Sequence, residues 1–188
     1  MSPIQIKWPL NRLRDDLWGS HPDAARSREL TPISVERHSG PRRCRAHTAH
    51  EYWELTYVFS GSGILDADSP HALTPNTAVL VLPGRWHRED SAGNMDTLWI
   101  GLEGRILRNL ADMPHPDILR AVCPDVNDLC VRLWMAAERQ PRNSGPELDG
   151  LARAIGGAAL RRHREAASPA ASLVERVVDE VRGDIARP

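Results

Sequence analysis

Two histidines and one glutamate are the side chains of this sequence that could carry chemistry together. His50 lies four residues before Glu54, and His87 follows further along the chain. Imidazole nitrogens and carboxylate oxygens bind divalent transition metals, and they also hydrogen-bond small polar molecules. The same groups can instead satisfy one another in a buried network that binds nothing. The residue types therefore leave open a metal site, an organic-ligand site and a structural network.

The segment that carries Glu54 has the composition of a β-strand. Residues 53–59 are rich in aromatic and β-branched side chains, and a Ser-Gly-Ser-Gly turn follows them. Side chains two residues apart share a strand face, so Thr56 lies beside Glu54, whereas Leu55 and Tyr57 face the other way. We expect the Glu54 face to line a barrel lumen and the more apolar face to pack under helices.

Other short strands surround this segment. Strand-like patterns occupy residues 33–38, 42–47, 64–66, 71–73, 78–82 and 97–102. Gly40-Pro41 is predicted as a turn, residues 90–94 as a loop and residues 114–124 as a connector. Many short strands separated by turns are typical of an antiparallel sandwich or barrel and not of a parallel sheet.

The last third of the chain changes to helical periodicity. Residues 124–140 and 147–164 each place apolar side chains along one helix face, and Ser168-Pro169 is predicted to begin a third helix. Ser144 and Glu147 have the spacing of a capping box at the second helix. The predicted fold class is mainly β with C-terminal helices: an antiparallel β-barrel followed by two to three α-helices.

Composition narrows the class of protein. The chain has 188 residues and a formal net charge of −1, whereas free-standing nucleic-acid-binding domains are usually basic. Its three cysteines lack paired metal-type spacing, which indicates structural thiols in a reducing compartment. Because no apolar run is long enough to span a bilayer and no signal peptide is recognisable, we expect no membrane partner and a cytoplasmic location.

The motifs resemble those of a known family. The pattern His50-x-x-x-Glu54 with its following Gly-x-Gly turn, and the later Pro-Gly-x-x-His87 element, resemble the two motifs of cupin barrels. More closely, residues 33–103 resemble the N-terminal ligand-binding and dimerisation domain of AraC-type transcription regulators. The resemblance implies a cupin-like jelly-roll barrel, and the helices of residues 124–187 are similar in layout to those that follow it in that family.

One departure from the cupin pattern concerns a metal. Metal-binding cupins usually have a His-x-His pair before the glutamate. Here His50 matches the second histidine, Thr48 occupies the place of the first, and His47 lies one residue away, on the opposite strand face unless a bulge turns it. The metal-ligand set is therefore His50, Glu54 and His87, with His47 as a fourth candidate only through such a bulge. No cofactor is assigned, and divalent zinc, iron, nickel or manganese stays an alternative.

The resemblance also implies a small-molecule effector in the lumen. The candidate ligand-binding residues are His50, Glu54, Thr56, Arg45, His87 and Trp99. Arg45 and Arg85, together with the histidines and glutamate, favour a polar or anionic ligand. They do not distinguish a sugar from an aromatic acid or another small metabolite.

The family layout divides the chain into four parts. Residues 1–31 are an N-terminal arm, 32–104 the barrel, 105–167 a helical dimerisation segment, and 168–188 a linker or the start of a helix-turn-helix domain beyond this chain. A homodimer is expected, and DNA contact only through that further domain. The residues assigned to dimerisation are Leu148, Leu151, Ala152, Ile155 and Ala159. The alternative is that this helix face packs only on its own barrel.

Three functions follow from these readings. The leading hypothesis is the effector-binding and dimerisation fragment of an AraC-like transcription regulator, which is not an enzyme. The alternative is a metal-dependent cupin enzyme, such as a dioxygenase or sugar isomerase, that uses His50, Glu54 and His87. A third is a sugar-binding module with neither DNA binding nor catalysis.

Overall fold

The computed structural model describes residues 30–43, 46–107, 118–139 and 145–166. Within these ranges the chain forms β-strands followed by helices. The strands are β1 (Thr31–Arg43), β2 (Trp53–Ser60), β3 (Gly63–Asp66), β4 (Pro70–Leu73), β5 (Thr77–Val81), β6 (Arg88–Glu103) and β7 (Ile118–Val122). A 3-10 turn, Pro124–Val126, leads into α1 (Asn127–Arg139), and α2 (Gly145–Ala166) follows. Residues 1–29 of the predicted N-terminal arm, the N-cap Ser144, the candidate ligand residue Arg45 and the third helix lie outside the described residues.

The strands form one antiparallel sheet that curls into a nearly closed barrel. The hydrogen-bonded order is β4-β3-β6-β2-β5-β7, and β1 pairs with β6. Strand β6 is long enough to pair with β1, β2 and β3. The two ends of the order approach each other, since Arg120 Nε of β7 donates a hydrogen bond of 2.8 Å to the Ala72 carbonyl of β4. The predicted fold class, a barrel followed by helices, is therefore confirmed.

Side-chain alternation along β2 separates two hydrophobic cores. Leu55 and Tyr57 belong to the larger core, which lies between the outer face of the barrel and the two helices. Val58 belongs to a smaller core inside the barrel, and Thr56 is fully buried on the same inner face. The prediction that the Glu54 face lines the lumen and the Leu55 face packs under helices is confirmed. Each large apolar side chain buried in this way contributes about 1.5–3 kcal/mol to folding.

Three stretches differ from the sequence prediction. Gly40-Pro41, predicted as a turn, lies within β1 at a bulge, where the register with β6 shifts between Gly40 and Arg42. Gly40 has φ +145°, a value that favours glycine. Residues 90–94, predicted as a loop, lie within β6, and part of the predicted connector forms β7 against β5.

A polar barrel interior explains the strand that was read as a loop. Ser91 is buried, and its Oγ accepts a hydrogen bond of 2.9 Å from the Arg42 backbone N–H. Where a strand faces a polar lumen on one side and solvent on the other, the apolar alternation that marks a strand is lost. The sheet consequently continues where the sequence shows only polar residues.

The inner face of α2 is covered within the chain itself. Leu148, Leu151, Ala152, Ile155 and Ala159 are between 0% and 7% exposed and belong to the core under the barrel. This packing corresponds to the alternative that the sequence left open, in which the helix face packs on its own barrel. The helix is also tied to β1, because Thr31 Oγ1 donates a hydrogen bond of 2.5 Å to the buried carboxylate of Asp149. None of the described helices is long and apolar enough to cross a membrane.

Candidate functional site

The three residues singled out by the sequence meet at one end of the barrel. Glu54, the second residue of β2, directs its carboxylate inward, and its two oxygens lie 3.0 Å from His50 Nε2 and 3.3 Å from His87 Nε2. One ligand atom from each of the three residues lies within 4.8 Å of the other two. His50 comes from the loop before β2 and His87 from the residue before β6.

Backbone hydrogen bonds fix the two loops that carry the histidines. The Thr48 and His87 backbones exchange hydrogen bonds of 2.8 and 2.9 Å, and the Gly84 N–H donates to the His50 carbonyl at 2.7 Å. Gly84 has φ +76°, a conformation that glycine adopts without steric cost. The Pro-Gly element therefore shapes a turn that holds His87 opposite Glu54.

Hydrogen bonding favours a charged pair at this end of the lumen. His87 Nδ1 donates to the Arg85 carbonyl at 3.0 Å, so a proton on Nε2 as well makes His87 a cation that faces Glu54. Burial lowers the pKa of His87, but the hydrogen bond and charge of Glu54 outweigh it and leave that pKa raised. Burial likewise raises the pKa of Glu54, and the hydrogen bonds and charges of the two histidines overcome this and lower it to about 2.

The same geometry suits a divalent metal. Around zinc, ligand atoms at about 2.0–2.2 Å from the ion lie roughly 3.3–3.6 Å apart. The Glu54 oxygens lie 3.0 and 3.3 Å from the two histidine nitrogens, and the three ligand atoms lie within 4.8 Å of one another. The donor set of His50, Glu54 and His87 fits a site that keeps positions open. Thr48 stands where metal-binding cupins usually have the first histidine of the His-x-His pair, and its backbone is hydrogen-bonded to that of His87. His47 is 40% exposed with its Nε2 3.4 Å from an Asp66 carboxylate oxygen, outside this group.

A second carboxylate, which sequence reasoning missed, lies deeper in the lumen. Glu89 is 4% exposed and accepts hydrogen bonds from Thr56 Oγ1 at 2.8 Å and from Trp99 Nε1 at 2.9 and 3.0 Å. Burial and the charge of Glu54 raise the pKa of Glu89, against the effect of those donors. The sequence could have indicated Glu89 through its position two residues after His87, because side chains two residues apart lie on one strand face.

Arg42, which the sequence analysis did not select, places a positive charge at this cavity. Its guanidinium carbon lies 4.0 Å from the centre of the Trp99 ring, and its Nε is 3.7 Å from a Glu89 oxygen. That Nε is buried without a hydrogen-bond partner among the described residues. Arg42 lies on the same face of β1 as His38 and Gly40, and the opposing strand β6 carries two extra residues between Met95 and Ser91.

These groups surround a cavity of about 140 Å³. Four of the predicted ligand-binding residues line it: His50, Glu54, His87 and Trp99. Thr56 lies behind Glu89, and Arg45 is outside the described residues. Further lining residues are Ser34, Glu36, Arg42, Ala46, Thr48, Tyr52, Arg88, Glu89 and Gly101. A cavity of this size accommodates about one six-membered ring and is smaller than most drug-sized pockets.

Comparison with protein families assigns the chain. Residues 33–174, well over half of its length, match the family described as the AraC-like ligand binding domain. The chain belongs to the AraC-like ligand-binding domain family. The resemblance inferred from the His/Glu pattern and the Pro-Gly-x-x-His element is thereby confirmed.

Solved structures of similar fold are distant in sequence. An apo ToxT variant from Vibrio cholerae aligns with 74% of this chain and 58% of its own, at 11% identity and a TM-score of 0.48. YhaK from Escherichia coli aligns with 64% of this chain and 51% of its own, at 10% identity and a TM-score of 0.45. A cupin superfamily protein from Desulfitobacterium hafniense aligns with 47% of this chain and 95% of its own, at 16% identity and a TM-score of 0.34. The chain thus spans just over half the length of YhaK and ToxT, and the likeness concerns the fold alone. A comparison with curated proteins found no match.

Proposed function

We propose that this chain is the effector-binding domain of a transcription regulator and that it binds a small polar molecule in the barrel cavity. The observation that carries the proposal is the set of buried charged groups around that cavity, in a chain of the AraC-like ligand-binding family. Glu54 and Glu89 are both desolvated carboxylates inside the lumen. Because well-packed apolar residues often stabilise a core as well as a buried ion pair does, such groups favour a binding role.

The free hydrogen-bonding groups indicate the chemistry of the effector. The Glu54 oxygens are already engaged by two histidines. The Arg42 guanidinium lies over the Trp99 ring, and its Nε is 3.7 Å from a Glu89 oxygen without a hydrogen-bond partner among the described residues. A guanidinium in this position recognises a carboxylate or a pair of hydroxyls. His50, stacked on Tyr52 with ring centres 4.8 Å apart, offers a second polar wall. We therefore expect a small hydroxylated or carboxylated metabolite.

The link from the cavity to the helices runs along β1. Arg42 lies near one end of this strand, and Thr31, at the other end, is hydrogen-bonded to Asp149 of α2. A ligand changes the balance between two conformations only by binding one of them more tightly. In the proposed mechanism, contact with Arg42 shifts β1 and hence α2. DNA binding would require a domain outside this chain, and a homodimer would form through surfaces other than the covered face of α2.

A thermal-shift screen of sugars, hydroxy acids and aromatic acids tests this proposal. A specific effector is expected to raise the melting temperature of the 188-residue chain, by an amount that grows with the logarithm of its concentration divided by its Kd. Arg42→Gln should weaken its binding at least about tenfold, the loss of one charged hydrogen bond. Arg132→Gln is the matched control, because Arg132 is exposed on α1 and does not line the cavity. Hits that bind the Arg42 variant as tightly as the parent chain would contradict the proposed site.

A second candidate function is a metal-dependent cupin enzyme, which the convergence of His50, Glu54 and His87 favours. These residues would hold zinc, iron, nickel or manganese, and the metal would supply a Lewis acid for a bound substrate. Calorimetric titration with zinc and with nickel, and elemental analysis of protein purified without chelator, separate the two functions. Near-stoichiometric metal that is lost in His87→Ala supports the enzyme. Absence of metal from the parent chain, with effector binding intact in chelator, supports the regulator.

A further inference from the structure

Two buried polar side chains on the lumen face lack any hydrogen-bond partner among the described residues. His38 is 7% exposed, and neither of its ring nitrogens is hydrogen-bonded. Thr97 is fully buried, and its hydroxyl is likewise unpaired. Folded proteins leave few such groups, because each one forfeits its hydrogen bonds to water without replacement. Their occurrence together requires an explanation.

The two residues lie side by side on adjacent strands. His38 on β1 and Thr97 on β6 are directly opposed partners in the sheet, so their side chains project from the same face. Alternation places them on the lumen side, since Val35 of β1 and Leu98 of β6 belong to the outer core. The His38 ring also stacks on Trp99, with ring centres 6.0 Å apart and planes 28° apart. The pair therefore adjoins the cavity wall at Trp99.

Space beside His38 lies at the Gly40 bulge. A Cβ atom placed on Gly40 would meet only the His38 ring within 4 Å, with Nε2 at 3.7 Å. Gly40 itself is partly exposed, whereas both ring nitrogens of His38 are buried. A group that binds His38 Nε2 would therefore enter beside Gly40, where the missing side chain leaves room for an atom of Cβ size.

We propose that His38 and Thr97 form a second polar subsite in the lumen, which takes a neutral group that both donates and accepts hydrogen bonds, such as a hydroxyl or a primary amide. Neutral imidazole has one donor and one acceptor nitrogen, and a threonine hydroxyl has both functions. Such a pair complements a neutral group better than a carboxylate, which only accepts. The inference rests on the proposed function, because this group would be the far end of an effector whose other end meets Arg42.

Stability measurements test whether the Thr97 hydroxyl is unpaired. Thr97→Val keeps the shape and removes an unsatisfied polar atom, so the melting temperature should rise by about 2–6 °C. Thr77→Val is the matched control, because Thr77 is equally buried on a strand but is hydrogen-bonded to Thr74 Oγ1 at 2.9 Å. That variant should melt at a lower temperature than the parent chain. A fall of similar size in both variants overturns the inference.

Probe binding tests the ligand class. Acetamide and acetate have the same shape, but only acetamide is neutral and donates hydrogen bonds. In imidazole nitrogen NMR spectra of the whole chain, with the His38 signals assigned through His38→Phe, acetamide should shift those signals saturably and acetate should not. The response should be lost in Thr97→Val. An equal response in Thr97→Val overturns the pairing of the two residues.

The two proposals fail in different ways in this experiment. If acetate shifts the Trp99 indole N–H signal while acetamide leaves His38 unchanged, the second subsite is refuted and the cavity at Arg42 stands. If neither probe changes either signal, the second subsite is refuted and the proposed effector cavity loses support as well. A saturable acetamide response at His38 that disappears with the Thr97 hydroxyl supports the inference directly.

Discussion

Replacing Glu54 with glutamine probes the charge pair at the centre of the site. Glu54→Gln keeps the size of the side chain and removes the charge that holds two histidines, at 3.0 and 3.3 Å. His87, which is only 4% exposed on its side chain, then loses the anion that offsets its desolvation. We expect the variant to fold, to be less stable, and to have a lower pKa at His87 than the parent chain.

The expected loss follows from the pKa of Glu54. Its fall from 4.5 to about 2 on folding corresponds to about 3 kcal/mol of stability, at roughly 1.4 kcal/mol per pH unit. Because that pKa is lowered, this contribution is present above pH 4.5 and is lost as the pH falls toward 2. The raised pKa of His87 makes its share complete below pH 6.5 and lost as the pH rises through the folded value. The two pKa shifts report the same interaction between Glu54 and His87, so its contribution to stability is largest between about pH 4.5 and pH 6.5.

Urea unfolding of parent and variant, in chelator, measures this difference. Near pH 5.5 the gap in unfolding free energy should be about 2–3 kcal/mol, and near pH 9 it should fall to half or less. Glu51→Gln is the control, because Glu51 is exposed in the adjoining loop, and its gap should stay within about 0.5 kcal/mol at both values. A gap for Glu54→Gln that is negligible near pH 5.5, or the same at both pH values, would refute the reasoning.

Three further predictions concern the fold around the site. Tyr57→Phe should cost about 1 kcal/mol in urea unfolding, because the phenol donates to Asn76 Oδ1 at 3.0 Å and lies in the core. The thiols of Cys123 and Cys130 should react with Ellman's reagent only as the chain unfolds, because burial raises the pKa of Cys123 to about 11 and that of Cys130 further; rapid native-state labelling would contradict their burial. Gly61→Ala should lower the melting temperature strongly, because Gly61 has φ +81° and an added Cβ would collide with the β6 backbone. A melting temperature like that of the parent would show that the turn tolerates a side chain.

Local sequence patterns were sufficient for the frame of the site. The composition of residues 53–59 identified β2, and strict alternation placed Glu54 inward and Leu55 outward, as the two cores confirm. The spacing of His50, Glu54 and His87 marked the cluster before its geometry was known. Helical periodicity likewise located α1 and α2. Apolar residues that recur about every 3.6 positions form one helix face, and that face must be buried.

Only the tertiary structure decided which residues from different strands meet at the site. Glu89 and Arg42 are remote from Glu54 in sequence, and only the pairing of β1 and β2 with β6 brings them to one cavity. The strand character of residues 90–94 was hidden, because a polar lumen removes the apolar alternation that reveals a strand. The apolar face of α2 would suit either a second chain or the barrel beneath it. Periodicity predicts that such a face is buried, whereas only the tertiary structure shows which surface buries it.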